Sequence, residues 1–137
     1  MWGFGTTVNE SDIGKGQMKR ILIVDDDPSV RDVLGEIVTT YGYEALASGS
    51  AKGAVATLAK GGIHLIFLDI SMPDVEGDRL LDFLRKKGFK TPVVVVSAHI
   101  EDDVRERLLA NGVSGIIEKP FEVSDVIDEM ERALTGK

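Results

Sequence analysis

The stretch Ile21-Leu22-Ile23-Val24-Asp25-Asp26-Asp27-Pro28 joins an apolar run directly to three carboxylates and a proline. A short run that is apolar at every position is typical of a strand covered on both faces, as strands of a parallel sheet are. Asp27 and Pro28 are then typical of a helix start, with the aspartate as the cap and the proline in the first turn. The stretch therefore predicts a buried strand that ends in acidic side chains and leads at once into a helix.

The same alternation of strand and helix continues along the chain. Further strands are predicted at 43–47, 63–68, 92–96 and 116–117. Apolar residues at three- and four-residue steps predict helices within 30–41, 51–58, 80–84, 104–109 and 123–134. Five strands that alternate with five helices predict an α/β fold, in which a doubly wound, five-stranded parallel sheet is covered on both faces.

Composition narrows the classes of function. A chain of 137 residues, 43% hydrophobic and 28% charged, is typical of one globular domain. Its net charge of −7 argues against binding to nucleic acid or to an anionic membrane through overall charge. The absence of cysteine excludes disulfides, zinc–thiolate sites and thiol catalysis. With no apolar run long enough to span a membrane and no secretory signal, we expect a cytoplasmic location and no membrane partner.

The beginning of the chain lacks these patterns. Residues 1–18 contain glycines separated by polar residues and no sustained apolar period, which predicts a flexible N-terminal extension. The folded domain is then expected at 19–137. Trp2 and Phe4 could dock on the domain or on a partner, although a disordered end is the simpler interpretation.

Polar side chains stand where the predicted strands end. Asp25 and Asp26 stand at the end of the first strand and Asp69 at the end of the third. Ser97 stands at the end of the fourth strand and Lys119 at the end of the fifth. In open α/β sheets, ligands bind beyond the carboxyl ends of the strands, so these side chains are expected to share one site. Crowded carboxylates of this kind suit a bound Mg²⁺. One carboxylate could then attack phosphorus and form an aspartyl phosphate, with the lysine and the hydroxyl on the phosphoryl oxygens.

Other polar residues have simpler interpretations. Because the chain contains no GxxxxGK[ST] loop, we expect a phosphoryl donor other than ATP. Asp27 is expected to cap a helix rather than to bind a metal. Asp74 and Glu76 are expected to be solvated loop charges. His99 is expected at the rim of the site rather than as a catalytic base, and His64 is expected to open a buried strand.

Four motifs stand at the ends of the predicted strands: Val24-Asp25-Asp26-Asp27-Pro28, Leu68-Asp69-Ile70-Ser71-Met72-Pro73 with Gly77, Val96-Ser97-Ala98, and Glu118-Lys119-Pro120-Phe121. In this order they resemble the CheY-like receiver domain of bacterial two-component response regulators. The resemblance covers about residues 19–135, and 19–137 is therefore interpreted as a receiver domain. It implies a flavodoxin-like (βα)5 fold with strand order 2-1-3-4-5.

The resemblance also implies a role for each matching residue. Asp69 would accept a phosphoryl group from the phosphohistidine of a sensor histidine kinase or a phosphotransfer protein. Mg²⁺ would be held by Asp25, Asp26 and Asp69, and by the backbone carbonyl of Ser71.

Two further residues would contact the phosphoryl group, Ser97 through its hydroxyl and Lys119 through its ammonium. The peptide bond between Lys119 and Pro120 is a candidate for the cis form. One position departs from the family pattern, because an aromatic residue often stands where this chain has Ile116. Phosphorylation could still draw the Ser97 hydroxyl towards the phosphoryl group and rearrange residues 104–109 of the fourth helix. The inward turn of an aromatic ring is not expected. His99 and Ser71 occupy positions that tune the lifetime of the phosphate in the family.

The function implied is a phosphoacceptor that switches protein–protein contacts and is no enzyme beyond assisting its own phosphorylation and dephosphorylation. An unknown effector protein is expected on the 104–134 face, and no direct contact with nucleic acid. A phosphorelay intermediate, a phosphate sink and a binding-only domain remain alternatives. A small Mg²⁺-dependent aspartyl-phosphate phosphatase is disfavoured, since Asp69 is followed by Ile70-Ser71 and no second aspartate. The chain is either a stand-alone regulator or a receiver from a longer protein.

Overall fold

A five-stranded parallel sheet forms the centre of the molecule. The computed structural model describes residues 18–71 and 77–135. The strands are β1 (Arg20–Val24), β2 (Glu44–Ser48), β3 (Leu65–Leu68), β4 (Val93–Ser97) and β5 (Gly115–Glu118). The helices are α1 (Pro28–Thr40), α2 (Ala51–Ala59), α3 (Gly77–Lys86), α4 (Asp102–Ala110) and α5 (Val123–Thr135). The sheet order is β2-β1-β3-β4-β5, which confirms the predicted fold class and strand order.

Helix α1 begins at the acidic end of β1. The Asp27 carboxylate accepts hydrogen bonds from the hydroxyl of Ser29 at 2.7 Å and from its backbone N–H at 2.9 Å, and these bonds hold the pKa of Asp27 below its ordinary value. Pro28 occupies the first turn, where a backbone N–H has no helical partner. The helix ends at Tyr41, and Gly42 follows with φ 88°, a conformation that glycine adopts without strain. The prediction of Asp27 as a helix cap is confirmed.

Two apolar cores cover the two faces of the sheet, because successive strand residues point to opposite sides. Leu22 and Val24 of β1 pack in the core beneath α2, α3 and α4. Ile21 and Ile23 pack in the core beneath α1 and α5, together with Phe67 of β3. This double cover explains why the central strands β1, β3 and β4 are almost continuously apolar. It also leaves the carboxyl ends of the strands as the place where polar side chains can gather.

Some details of the sequence prediction were wrong. Strand β3 begins at Leu65, so His64 does not open a buried strand; it is exposed, and its Nδ1 accepts a hydrogen bond from the backbone N–H of Arg20 at 3.0 Å. Val33 and Tyr41 belong to the predicted apolar stripe of α1 but are 46% and 47% exposed. The core covers a narrower stripe of α1 than the periodicity indicated, and Tyr41 lies at the C-terminal cap of the helix.

The predicted extension at 1–18 falls almost wholly outside the described residues, as do Trp2 and Phe4. Met18, the first residue described, is 43% exposed. The boundary of the folded domain at 19 stays a prediction. Within the described ranges, no helix is long and apolar enough to cross a lipid bilayer.

Phe67→Ala tests whether the core beneath α1 and α5 holds the sheet together. Phe67 is 1% exposed, so its truncation leaves a cavity and should lower the free energy of unfolding by about 3–5 kcal/mol. Phe83→Ala is the matched control, because Phe83 is 41% exposed and should lose no more than about 1 kcal/mol. Equilibrium urea unfolding measures both variants, and equal losses would contradict the assigned core.

Candidate functional site

Four neighbouring strands bring their carboxyl ends to one edge of the sheet. Asp25 and Asp26 follow β1, Asp69 follows β3, Ser97 ends β4, and Lys119 follows β5. The hydrogen-bond ladder of the sheet continues into these residues. The Asp69 N–H donates to the Val24 carbonyl at 2.9 Å, and the Lys119 N–H donates to the Ser97 carbonyl at 2.8 Å. The backbone of the site is therefore as firmly placed as the strands themselves.

Three carboxylates form a cluster at this edge. Asp25, Asp26 and Asp69 each offer an oxygen, and these oxygens lie within 4.8 Å of one another. Asp25 is 1% exposed and Asp69 is 4% exposed, whereas Asp26 faces solvent. A set of three carboxylate oxygens, one of them open to water, fits a hard cation that keeps part of its hydration shell.

The ammonium of Lys119 lies between the two buried carboxylates. Its Nζ is 2.9 Å from Asp25 Oδ2 and 3.5 Å from Asp69 Oδ2. The other oxygen of Asp25 accepts a hydrogen bond from the Asp27 N–H at 2.9 Å. Since a buried carboxylate without a partner is strongly unfavourable, Lys119 compensates part of the charge that the strand ends bring together.

Burial and charge shift the pKa of both partners. Burial raises the pKa of the Asp25 carboxyl above its ordinary value, and the negative charge of Asp69 raises it further. The Asp27 N–H and Lys119 act in the opposite direction without cancelling these effects. Partial burial lowers the pKa of Lys119, but its hydrogen bond to Asp25 and the charges of Asp69 and Asp25 outweigh burial, so the pKa is raised. The ammonium is therefore charged at neutral pH.

Two serines complete the surroundings of Asp69. Its Oδ1 accepts hydrogen bonds from the Ser97 hydroxyl and from the Ser71 backbone N–H, each at 3.0 Å. The two serine hydroxyls are themselves 2.9 Å apart. Ser97 is fully buried, so its hydroxyl has been taken out of solvent in order to face Asp69.

The loop after β5 contains a cis peptide bond between Lys119 and Pro120, as predicted.

The arrangement as a whole combines a buried carboxylate, a hydroxyl and an ammonium directed at it, and two further carboxylates able to hold a cation. Such an arrangement suits chemistry in which negative charge develops beside Asp69, because hydrogen-bond donors and a cation already face that carboxylate.

Comparison with known families gives the context of this site. The sequence model of the response regulator receiver domain matches residues 21–131. The chain belongs to the response regulator receiver domain family. Its function is accordingly that of a receiver in two-component signalling.

Two kinds of protein contain similar receiver sequences. The nitrogen assimilation regulatory protein NtrX of Azorhizobium caulinodans is 35% identical over 116 residues, which cover 83% of this chain and 26% of that protein. The sensor histidine kinase RcsC of Escherichia coli is 31% identical over 115 residues, which cover 84% of this chain and 12% of that protein. The chain thus spans about a quarter or less of these relatives.

Solved structures show the same fold over nearly all of their length. A CheY-like receiver domain protein from Methanospirillum hungatei has a TM-score of 0.82 and 28% identity, covering 87% of this chain and 95% of that one. The receiver domain of NtrX from Brucella abortus has a TM-score of 0.79 and 33% identity, covering 85% of this chain and 99% of that one.

The structure also places two other residues that were singled out in the sequence. His99 is on the surface, where its Nε2 is 3.2 Å from Glu101. Gly77 begins α3. Four residues of the loop beyond Ser71 fall outside the described residues: Met72, Pro73, Asp74 and Glu76.

Two contacts of the site were missed by sequence reasoning. Arg31 donates from Nη1 to the backbone carbonyl of Asp25 at 2.7 Å, and thereby ties α1 to the acidic end of β1. Its place one turn after the cap of α1 was the available signal. The hydroxyl contact between Ser71 and Ser97 was also missed, because Ser71 was singled out for its backbone carbonyl and its place beside Asp69.

Lys119→Met should destabilise the receiver domain most at neutral and higher pH. Without the ammonium, the folded-state pKa of Asp25 rises further above its unfolded value, so ionised carboxylates oppose folding. A raised carboxyl pKa imposes its penalty above the unfolded value of 3.8, and the penalty disappears as pH falls below that value. In Mg²⁺-free buffer we expect a loss of about 1–3 kcal/mol at pH 7, narrowing towards pH 4, by thermal unfolding across pH.

Lys86→Met is the control, because Lys86 forms an exposed pair with Asp82 at 3.1 Å within α3. It should change stability by less than about 0.5 kcal/mol at any pH. A pH-independent loss in Lys119→Met would show that its stem, and not its charge, supports the site.

Proposed function

We propose that Asp69 of this receiver domain accepts a phosphoryl group from the phosphohistidine of a sensor histidine kinase or phosphotransfer protein. The observation that carries the proposal is the convergence on this buried carboxylate of the Ser97 hydroxyl at 3.0 Å and the Lys119 ammonium at 3.5 Å. Asp69 lies at the end of an apolar strand, where a carboxylate without a function would be unfavourable.

The donor set of the carboxylate cluster supports Mg²⁺ as the cofactor. Asp25, Asp26 and Asp69 would hold the ion, with the backbone carbonyl of Ser71 as a further oxygen ligand. Bound there, Mg²⁺ would offset the charge of the carboxylates and of the incoming phosphoryl oxygens. The charge of Asp25 would then be balanced by the ion as well as by Lys119, so the ammonium could turn from Asp25 towards the phosphoryl group. Lys119 Nζ already lies 3.5 Å from Asp69 Oδ2.

The transfer itself requires little of the protein beyond placement. A carboxylate oxygen of Asp69 bonds to phosphorus as the bond from phosphorus to the donor's imidazole nitrogen breaks, and that nitrogen keeps the electron pair and takes up a proton. Ser97 donates its hydroxyl proton to one phosphoryl oxygen and Lys119 donates to another. These donors balance charge as it develops, which is the main contribution of a protein to phosphoryl transfer.

An output surface is proposed on the 104–134 face. Leu109 of α4 is 57% exposed there, and Arg105 of α4 bonds Glu118 of β5 at 2.9 Å. Because the Glu118–Lys119 segment joins this face to the phosphoryl site, a shift of Lys119 would disturb the Arg105 pair. Ile116, packed on the core beneath α2, α3 and α4, replaces the aromatic residue as part of this connection.

The similarity to a sensor histidine kinase favours a second candidate function. A receiver of this kind could act as a phosphorelay intermediate, passing the phosphoryl group on from Asp69 without an output surface of its own. Both candidates share the same phosphorylation site and differ in the fate of the phosphoryl group once it is bound to Asp69.

Asp69→Asn should abolish phosphate uptake without unfolding the domain. The amide keeps the shape of the side chain but is not a nucleophile, so labelling with acetyl phosphate and Mg²⁺ should fall below about one hundredth of the wild-type rate. Intact mass measures the phosphorylated protein, and the release of inorganic phosphate measures its turnover. Asp32→Asn, on an exposed position of α1, is the matched control and should label normally. Continued labelling of Asp69→Asn would refute the assignment of the acceptor.

Amide NMR with Mg²⁺ and then beryllofluoride, a mimic of the phosphoryl group, separates the two candidates. Mg²⁺ should shift resonances at 25–26 and 69, and Asp26→Asn should weaken that binding at least tenfold, since it removes a charged ligand. With beryllofluoride, shifts that spread through Ile116 to the 104–134 face support a switch with an output surface. Shifts confined to the pocket support the relay. No response at Asp69 would contradict both.

A further inference from the structure

The hydroxyl of Ser71 forms part of a short hydrogen-bond chain in the phosphoryl site. Ser71 Oγ lies 2.9 Å from Ser97 Oγ, and Ser97 Oγ lies 3.0 Å from Asp69 Oδ1. The backbone N–H of Ser71 donates to the same Asp69 oxygen at 3.0 Å. Ser71 therefore reaches Asp69 twice, directly through its backbone and indirectly through its side chain.

The direction of this chain follows from counting protons. A serine hydroxyl has one proton to donate, and an ionised carboxylate can only accept. Ser97 must give its proton to Asp69, because no other arrangement satisfies that contact. The proton between the two serines therefore belongs to Ser71, and Ser97 accepts it. The chain runs from the Ser71 hydroxyl to the Ser97 hydroxyl to the Asp69 carboxylate.

This direction has two physical effects on Ser97. A hydroxyl that accepts one hydrogen bond becomes a better donor in the next, because chains of hydrogen bonds polarise one another. The accepted bond also removes rotational freedom, because a serine side chain otherwise samples three staggered rotamers. Ser97 is fully buried, so water does not compete for its oxygen. Ser71 is exposed, so solvent could satisfy its hydroxyl and the bond to Ser97 is not needed for that purpose.

We propose that Ser71 is a positioning residue, whose hydroxyl holds the Ser97 side chain in the rotamer that aims its proton at Asp69. The inference rests on the proposed function of Asp69 and adds to it. The receiver would then carry its hydroxyl donor in place before the phosphoryl group arrives. In the transfer step Ser97 would need only to redirect its proton from the Asp69 oxygen to an adjoining phosphoryl oxygen.

The rotamer of Ser97 in the unphosphorylated protein is the first test, and it does not depend on any phosphorylation. Three-bond couplings to the Ser97 β-protons should report one χ1 rotamer in the wild type. Ser71→Ala should give averaged couplings, and Ser71→Thr, which keeps a hydroxyl, should restore a single rotamer. Ser124→Ala, at an exposed position of α5, is the control and should leave Ser97 unchanged. A single unaltered rotamer in Ser71→Ala overturns the inference.

A double-mutant cycle with Ser97→Ala is the second test. Ser71→Ala should lower the maximal rate of phosphorylation by acetyl phosphate about three- to tenfold, with the donor KM changed less than about twofold. In the Ser97→Ala background the same substitution should change the rate less than about 1.5-fold, because the hydroxyl it positions is gone. Equal losses in both backgrounds would mean that Ser71 acts independently of Ser97, and would overturn the inference.

Asp69→Asn separates failure of the inference from failure of the proposed function. If that variant is still phosphorylated, the acceptor is assigned wrongly, and the rotamer test alone then decides whether Ser71 positions Ser97. If it is not phosphorylated and Ser71→Ala leaves the Ser97 rotamer unchanged, the acceptor stands and the positioning role fails.

Discussion

The placement of two buried carboxylates beside one ammonium is the constraint on which this receiver domain depends. Asp25 and Asp69 follow neighbouring strands, and each would be strongly unfavourable in a dry site without a cation. Lys119 supplies it from a position 94 residues beyond Asp25 in the chain. The contact closes only if β4 and β5 are both paired in register. Charge compensation at the site and the order of the sheet are therefore parts of the same arrangement.

Much of this structure was predictable from sequence, because the fold depends on periodicity and strand-end polarity. Strand and helix alternation located all five strands. The rule that ligands lie beyond the carboxyl ends of the strands then predicted that Asp25, Asp69, Ser97 and Lys119 meet at one edge. The faces of the helices were less predictable. Val33 and Tyr41 have the period of a core stripe but are exposed, since periodicity indicates the direction of a face and not its width.

The finer contacts of the site could not be predicted, for a different reason. The bond from Arg31 to the Asp25 carbonyl and the contact of Ser71 with Ser97 depend on rotamers and on the path of two loops. Spacing along the chain carries no information about either. Ile116 is a related case. The family's aromatic residue is visibly absent from the sequence at this position, yet only the structure shows that Ile116 is half-buried and packs against the core beneath α2, α3 and α4.

The double cover of the sheet gives Ser97 and Lys119, the two proposed donors to the phosphoryl group, different neighbours. Ser97 continues the alternation of Val93 and Val95, which belong to the core beneath α2, α3 and α4. Lys119 continues the alternation of Ile117, which belongs to the core beneath α1 and α5. The side chains that precede the two donors thus pack on opposite faces of the sheet, while the Lys119 N–H donates to the Ser97 carbonyl at 2.8 Å and both side chains face Asp69. A core substitution on either face of the sheet can therefore act on the same carboxylate, through the hydroxyl from one face and through the ammonium from the other.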